Sequence, residues 1–149
     1  MDEPDTPAEL KARALRHLVR REHSRAELAR KLAPHAESLE AVQRLLDELA
    51  ARKQLSDERY AEERARSLAR KYGAARIRHD LKAKGIERQV IDALPGGDEL
   101  ERARAILNRK YRTPAESRDE VARRARFLQG RGFSMDVIGR LLRGSEEFL

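Results

Sequence analysis

The sequence predicts an all-α protein: three tandem three-helix repeats, helix-turn-helix-like, stacked in an elongated, curved array. Three observations predict it. The stretch Gly73–Leu94 reads as helix, glycine turn, helix, with Ile77 and Leu81 on one helical face and Gly85 where a left-handed cap is needed. An offset of 47 places Leu128 on Leu81, Gly132 on Gly85, Phe133 on Ile86, Ile138 on Ile91 and Leu141 on Leu94. An upstream offset of 49 sets Leu28 on Ile77, Leu32 on Leu81, Val42 on Ile91 and Leu45 on Leu94. A period near 50 residues indicates stacked units, each too small to bury its own apolar face.

In chain order, repeat 1 covers residues 1–54, repeat 2 residues 55–97 and repeat 3 residues 98–149. Repeat 1 opens with Thr6-Pro7, a cap followed by a proline suited to the first helical turn. Ala14, Leu15, Leu18 and Val19 are expected to face inward. Ser24 with Glu27 has the capping-box pattern for a second helix carrying Leu28 and Leu32, which Pro34 breaks. Ala36 stands where the other copies have glycine, so this turn must be made differently. Ser38 caps a third helix with Val42, Leu45, Leu46 and Leu49 inside.

Repeat 2 begins at Leu55-Ser56-Asp57-Glu58, with acids where the helix dipole favours them. Ala61, Ala65, Leu68 and Tyr72 form one face, and Gly73 is expected to end the helix. The helix of Ile77 and Leu81 follows, then one with Val90, Ile91 and Leu94, closed by Pro95-Gly96-Gly97. Repeat 3 starts near Asp98 with Leu100, Ala103, Leu107 and Tyr111. After Thr113-Pro114 comes a long helix through Val121, Ala125 and Leu128, and Ser134 caps a last one with Val137, Ile138, Leu141 and Leu142. Nine helices and no strand result. Leu81, Ile91, Leu94, Leu128, Ile138 and Leu141 are expected to be buried, and Met1–Asp5 and Ser145–Leu149 to fray.

Composition narrows the function. The chain has no cysteine, which excludes disulfide and thiolate chemistry. No apolar run reaches membrane-spanning length, and the acidic, proline-containing start is not a signal peptide, so a cytoplasmic protein without membrane contact is expected. Net charge is +7 with charged residues at 40%, favouring an anionic partner. The excess is uneven: eleven basic against ten acidic residues over 1–54, ten against seven over 55–97, and twelve against nine over 98–149.

Catalytic patterns are missing. His17, His23, His35 and His79 lie on different expected elements without metal-ligand spacing, and each reads as a solvated surface residue. Glu62-Glu63 and Asp57-Glu58 read as surface and helix-start charges. There is no phosphate loop, nucleophile elbow or nucleotide fingerprint, so no enzyme, cofactor or metal is expected. The candidate contact residues are instead cations: Arg70, Lys71, Arg76, Arg78, Lys82, Lys84, Arg88, Arg109, Lys110, Arg124 and Arg131. With aromatics at only 4%, contact with phosphate rather than with bases is expected.

The motifs LSDERYA (Leu55–Ala61), GAARIRHDLKAKGIERQVI (Gly73–Ile91), FLQGRGFSMDVI (Phe127–Ile138) and SRAELARKL (Ser24–Leu32) resemble the RecX family in order and spacing, from roughly Ala12 to Leu142. The family consists of bacterial regulators of the RecA recombinase, built from three tandem three-helix repeats. The resemblance implies a protein that binds RecA filaments on single-stranded DNA; a monomer is expected, with single-stranded and double-stranded DNA as nucleic-acid partners. It further implies modulation, usually inhibition, of RecA's ATPase, strand exchange and co-protease activities in repair and the SOS response. It carries over no catalytic or ligand residue. The alternative is a helix-turn-helix transcriptional regulator, against which stands the lack of an Asn/Gln/Arg base-reading set. An RNA-binding or scaffolding protein is the third class.

Overall fold

Thr6 begins the first helix with a reciprocal cap: its hydroxyl accepts from Glu9 N, and the Glu9 carboxylate accepts from Thr6 N at 2.9 Å. The structure, a computed structural model, describes residues 3–143. Among these the chain forms α1 (Pro7–Arg20), α2 (Arg25–Leu32), a 3-10 turn (Ala33–His35), α3 (Leu39–Ala51), α4 (Asp57–Leu68) and α5 (Ala74–Ala83). There follow α6 (Arg88–Asp92), α7 (Glu99–Lys110), α8 (Arg118–Gly130) and α9 (Met135–Leu141). Nine α-helices and no strand are found among the described residues, as the periodicity predicts. Ser24, Ser38, Ser56 and Ser134 each accept from the backbone N–H three residues on.

Two compact units are distinguished, Met1–Arg64 with Leu81–Leu94, and Ala65–Asp80 with Pro95–Leu149. In the first, Leu10, Ala14, Leu28, Leu32, Val42, Leu45, Leu46 and Leu49 of α1, α2 and α3 make one core with Leu55 from the segment before α4. In the second, Ala103, Ile106, Leu107, Leu128 and Ile138 of α7, α8 and α9 make another with Phe133 from the turn between α8 and α9. Ile106 joins Leu107 inside although only the latter was expected there.

The glycine turns explain how these helices are held. Gly85 and Gly132 have φ of 84° and 93°, in the region an L side chain rarely adopts. The closing bonds match: Ile86 N donates to Leu81 O at 3.1 Å, and Phe133 N to Leu128 O at 3.2 Å. In the first copy, with Ala36, the turn is instead the 3-10 segment around Pro34.

Each of these glycine turns also forms a joint. In the first unit Ser24 Oγ donates to the Lys84 carbonyl, and a Cβ at Gly85 would lie 2.7 Å from Ala26 Cβ. In the second unit Gly73 N donates to the Arg131 carbonyl, and a Cβ at Gly132 would lie 2.5 Å from Arg76 Cβ. Ser24 and Gly73 are repeat partners at the offset of 49, as Lys84 and Arg131 are at 47. The start of one repeat's second helix therefore seats the next repeat's turn, twice over. Each compact unit consequently holds helices from more than one repeat.

Several expectations need correction. Val19 is 86% exposed. With Leu10, Ala14 and Leu18 spaced by four on the inner stripe, Val19 falls well round the helix from it. Leu94 and Leu141 are half-buried, because α6 stops at Asp92 and α9 ends on Leu141. Helix α4 stops at Leu68, short of Gly73. Asp5 does not fray: its backbone N donates to His35 O, and its carboxylate takes Arg13 at 2.8 Å. Met1, Asp2 and Ser145–Leu149 lie outside the described residues.

Ser24 caps α2, but Glu27 does not reach back to complete the box. It turns to Arg21, pairing through both carboxylate oxygens at 3.0 and 2.6 Å. Behind it lies His23, which is 1% exposed, not solvated as expected. Its Nδ1 lies 3.1 Å from the Arg21 carbonyl and its Nε2 2.9 Å from Lys31 Nζ, so the proton belongs on Nδ1 and the ring is neutral. Burial lowers the His23 pKa below its usual 6.5, and that of His17, whose ring lies tilted to it with centroids 5.5 Å apart. The hydrogen bond from Arg21 holds Glu27 down to about 2.

Both shifts have the same sign for stability. The His23 contribution is present above about 6.5 and is lost as pH falls below it. The Glu27 contribution is present above 4.5 and is lost as pH falls toward 2. Because the Arg21 side chain is 49% exposed, solvent screening reduces the Glu27 share to about 1–2 kcal/mol. Thermal melts between pH 7 and pH 3 are expected to show a falling midpoint, and Glu27→Gln to flatten the part below pH 4.5. An unflattened curve in that variant would dismiss the Arg21–Glu27 pair as its source.

Candidate nucleic-acid interface

Tyr72 and its neighbours connect α4 to α5, and the carbonyls at the end of α4 need partners. Arginines supply them. The Arg109 guanidinium donates to Arg70 O, Arg131 to Lys71 O at 3.4 Å, and Arg102 to Tyr72 O at 2.9 Å. Cations are favoured there electrostatically, since the carbonyl end of a helix carries the negative pole. The opposite charge serves the start of α5, where Ala74 N donates to Glu99 Oε1 at 2.6 Å.

The same cations lie over aromatic faces. Arg131 sits 5.5 Å from the Tyr72 centroid and 5.1 Å from that of Phe127; Lys110 lies 4.9 Å from Phe127. Arg76 covers Tyr72 at 4.6 Å and Arg124 covers Tyr111 at 4.5 Å. Tyr111 meets Phe127 edge to face with centroids 6.0 Å apart. Half of the six aromatic residues in the chain are thus gathered among basic groups.

They surround an open recess of 630 Å³ lined by Arg70, Lys71, Tyr72, Ile106, Arg109, Lys110, Phe127 and Arg131. Among the described residues no acidic side chain lines it. Five of the eleven candidate cations meet here, and Arg76 and Arg124 touch the aromatic set beside it. Arg109, Arg131 and Arg124 also hold backbone, Arg124 through the Thr113 carbonyl at 2.8 Å, so they serve the fold as well. Arg70, Lys71 and Lys110 are exposed and make no ion pair among the described residues.

The remaining candidates are not brought to the recess. Arg78 is exposed on the part of α5 that belongs to the second unit. Lys82, Lys84 and Arg88 are exposed in the first unit, where Arg88 pairs with Asp92 at 3.6 Å. The first unit has a recess of its own, of 440 Å³, but Arg25, Lys53, Asp57, Glu58, Arg59 and Glu87 mix both signs around it. Asp57 there accepts from Arg25 N at 2.7 Å, and burial raises its pKa. Among the described residues no group of His, Asp and Glu is placed to hold a metal.

Sequence reasoning missed Arg102 and the aromatic cluster. One signal was available: the tripeptide Arg-Lys-Tyr occurs at Arg70–Tyr72 and again at Arg109–Tyr111. The two copies follow or end helices α4 and α7, and their cations converge on the one recess.

Comparison with known proteins shows the family. A family model described as RecX, second three-helix domain, matches residues 56–94, and one for the third three-helix domain matches residues 97–142. The regulatory protein RecX of Leptothrix cholodnii is 48% identical over 137 residues, covering 90% of this chain and 87% of its own. The chain belongs to the RecX family. The regulatory protein RecX of Ralstonia nicotianae is 42% identical over 149 residues, covering 98% of this chain and 94% of its own.

Solved RecX structures agree in fold. The crystal structure of RecX from Lactobacillus salivarius superimposes with a TM-score of 0.81 at 19% identity, covering 95% of this chain and 97% of that one. A crystal structure of regulatory protein RecX gives 0.73 at 24% identity, over 92% and 73%. Both sides of the recess lie within segments matched by the RecX domain models: Arg70–Tyr72 in the second, Ile106–Arg131 in the third.

Proposed function

We propose that this RecX-family chain is a non-catalytic regulator that binds RecA filaments on single-stranded DNA. In this reading it lowers RecA's ATPase, strand exchange and co-protease activities in recombination and the SOS response. The observation that carries it is membership of a family of regulatory proteins, at more than 40% identity over nearly the whole chain. The recess lined by Arg70, Lys71, Arg109, Lys110 and Arg131 supports it physically, since phosphates and carboxylates are the anions such a surface attracts. Among the described residues no helix is long and apolar enough to cross a membrane. The working form is read as a cytoplasmic monomer, with residues 1–54, 55–97 and 98–149 as its three-helix segments.

The experiment is RecA's DNA-dependent ATPase with this protein titrated in, beside co-sedimentation with filaments. A dose-dependent fall in hydrolysis with protein in the pellet is expected. No change in rate and no co-sedimentation would sink the reading.

A narrower prediction concerns α5. Arg78 and Lys82 are exposed, whereas Leu81 between them is fully buried. Replacing both basic residues by glutamate is expected to lower stability by less than about 1 kcal/mol. The same change should weaken filament or DNA binding and flatten its salt dependence, by roughly one logarithmic unit for each phosphate no longer neutralised. An unaltered salt-titrated binding curve in the folded variant would remove this helix from the binding surface.

A further inference from the structure

The recess between the two Arg-Lys-Tyr segments has two kinds of lining that do not serve the same ligand atoms. Arg70, Lys71, Arg109, Lys110 and Arg131 offer positive charge, and Tyr72, Ile106 and Phe127 offer apolar and aromatic wall. A purely phosphate-binding surface would have no use for the second kind. A carboxylate-rich peptide would leave it empty as well. We propose that the recess takes one unstacked base of single-stranded nucleic acid, with the flanking phosphates on Arg70, Lys71 and Lys110. This rests on the single-stranded DNA half of the function proposed above but needs no RecA.

Three features carry it. The volume, 630 Å³, lies in the range of sites that hold nucleotide-sized ligands. The guanidinium of Arg131, held at Lys71 O and above Tyr72 and Phe127, presents a planar cation on which a base can stack as it does on an aromatic ring. The three exposed cations named for phosphate sit beside that wall, on the Arg-Lys-Tyr segments, and among the described residues no acid lines the recess to oppose them. Base stacking on such a surface tolerates any sequence, because every base has a π-face. The sequence expectation of phosphate contact alone is thereby extended, since the fold concentrates the few aromatics the chain has.

The test is fluorescence anisotropy of this protein, without RecA, against a 15-nucleotide oligo-dT and an abasic strand of the same length and charge. The oligo-dT is expected to bind about tenfold more tightly. Phe127→Leu keeps an apolar side chain packed against the second core but loses the ring; with an unchanged melt it should abolish most of that preference and leave the salt slope intact. Arg70→Ala with Lys71→Ala should weaken both strands and lower the slope. Equal affinity for the two strands would overturn the proposal, as would a duplex of the same length binding as tightly as oligo-dT. Displacement by polyglutamate as effective as by oligo-dT would overturn it in favour of an acidic protein partner. A wild-type protein that shows no oligo-dT preference yet inhibits RecA's ATPase leaves the regulatory reading standing and overturns this one; a wild-type preference without any effect on RecA removes only the regulatory reading.

Discussion

Leu81→Ala is expected to lower the unfolding free energy by about 2–5 kcal/mol, the range for emptying a fully buried leucine site. Leu81 has no exposed surface, and its carbonyl closes the glycine turn by accepting from Ile86 N. Removal of the side chain loses the transfer of its methyl groups from water and leaves a cavity among neighbours already packed. The matching change at the half-buried Leu94 should cost clearly less, because that side chain stays partly in water. Urea denaturation followed by circular dichroism reads both as shifts in midpoint. Equal shifts for the two variants would refute the assignment of Leu81 to the core.

Gly132→Ala is expected to be comparably damaging, by about 2–5 kcal/mol, for reasons unconnected with apolar burial. At φ of 93° an alanine is strained by roughly 1–2 kcal/mol. Its Cβ would also sit 2.5 Å from Arg76 Cβ and 2.7 Å from Arg76 N, a crowding that costs about 1–3 kcal/mol more. Gly73→Ala should suffer from the other side of the same joint, where a Cβ would lie 2.5 Å from the Gly132 carbonyl oxygen. Backbone on both sides leaves little to yield. Gly130→Ala, two residues away in α8, has nothing within 4 Å and is expected to be neutral or stabilising by up to about 1 kcal/mol. Similar melting temperatures for Gly132→Ala and Gly130→Ala would dismiss the joint as a structural constraint.

These two sites differ in how far their causes reach along the chain. Helix starts at Thr6, Ser24, Ser38, Ser56 and Ser134, the stripes of α3 and α5 and the left-handed glycines are local: each depends on residues within about one turn. The sequence alone determined them, and the ordered motifs determined the family. The burial of His23 was not legible, because nothing near it in sequence says that Lys31 and the Arg21 carbonyl will satisfy both ring nitrogens. The same holds for Arg102, whose guanidinium finds Tyr72 O thirty residues away.

Of the candidate contact residues, the cationic character was legible and the grouping was not. Arg70 and Lys71 meet Arg109, Lys110 and Arg131 because the glycine joint at Gly73 and Gly132 sets the end of α4 against α7 and α8. That meeting depends on a backbone approach no periodicity encodes, and it alone distinguishes Arg131, which holds a carbonyl and two rings, from Arg88, which pairs with Asp92 on its own helix. The sequence by itself determined how many helices form, where they start and which charge the surface carries. The tertiary structure decided which of those charges share a recess, because electrostatic and stacking interactions act across a few ångströms of space whatever their separation along the chain.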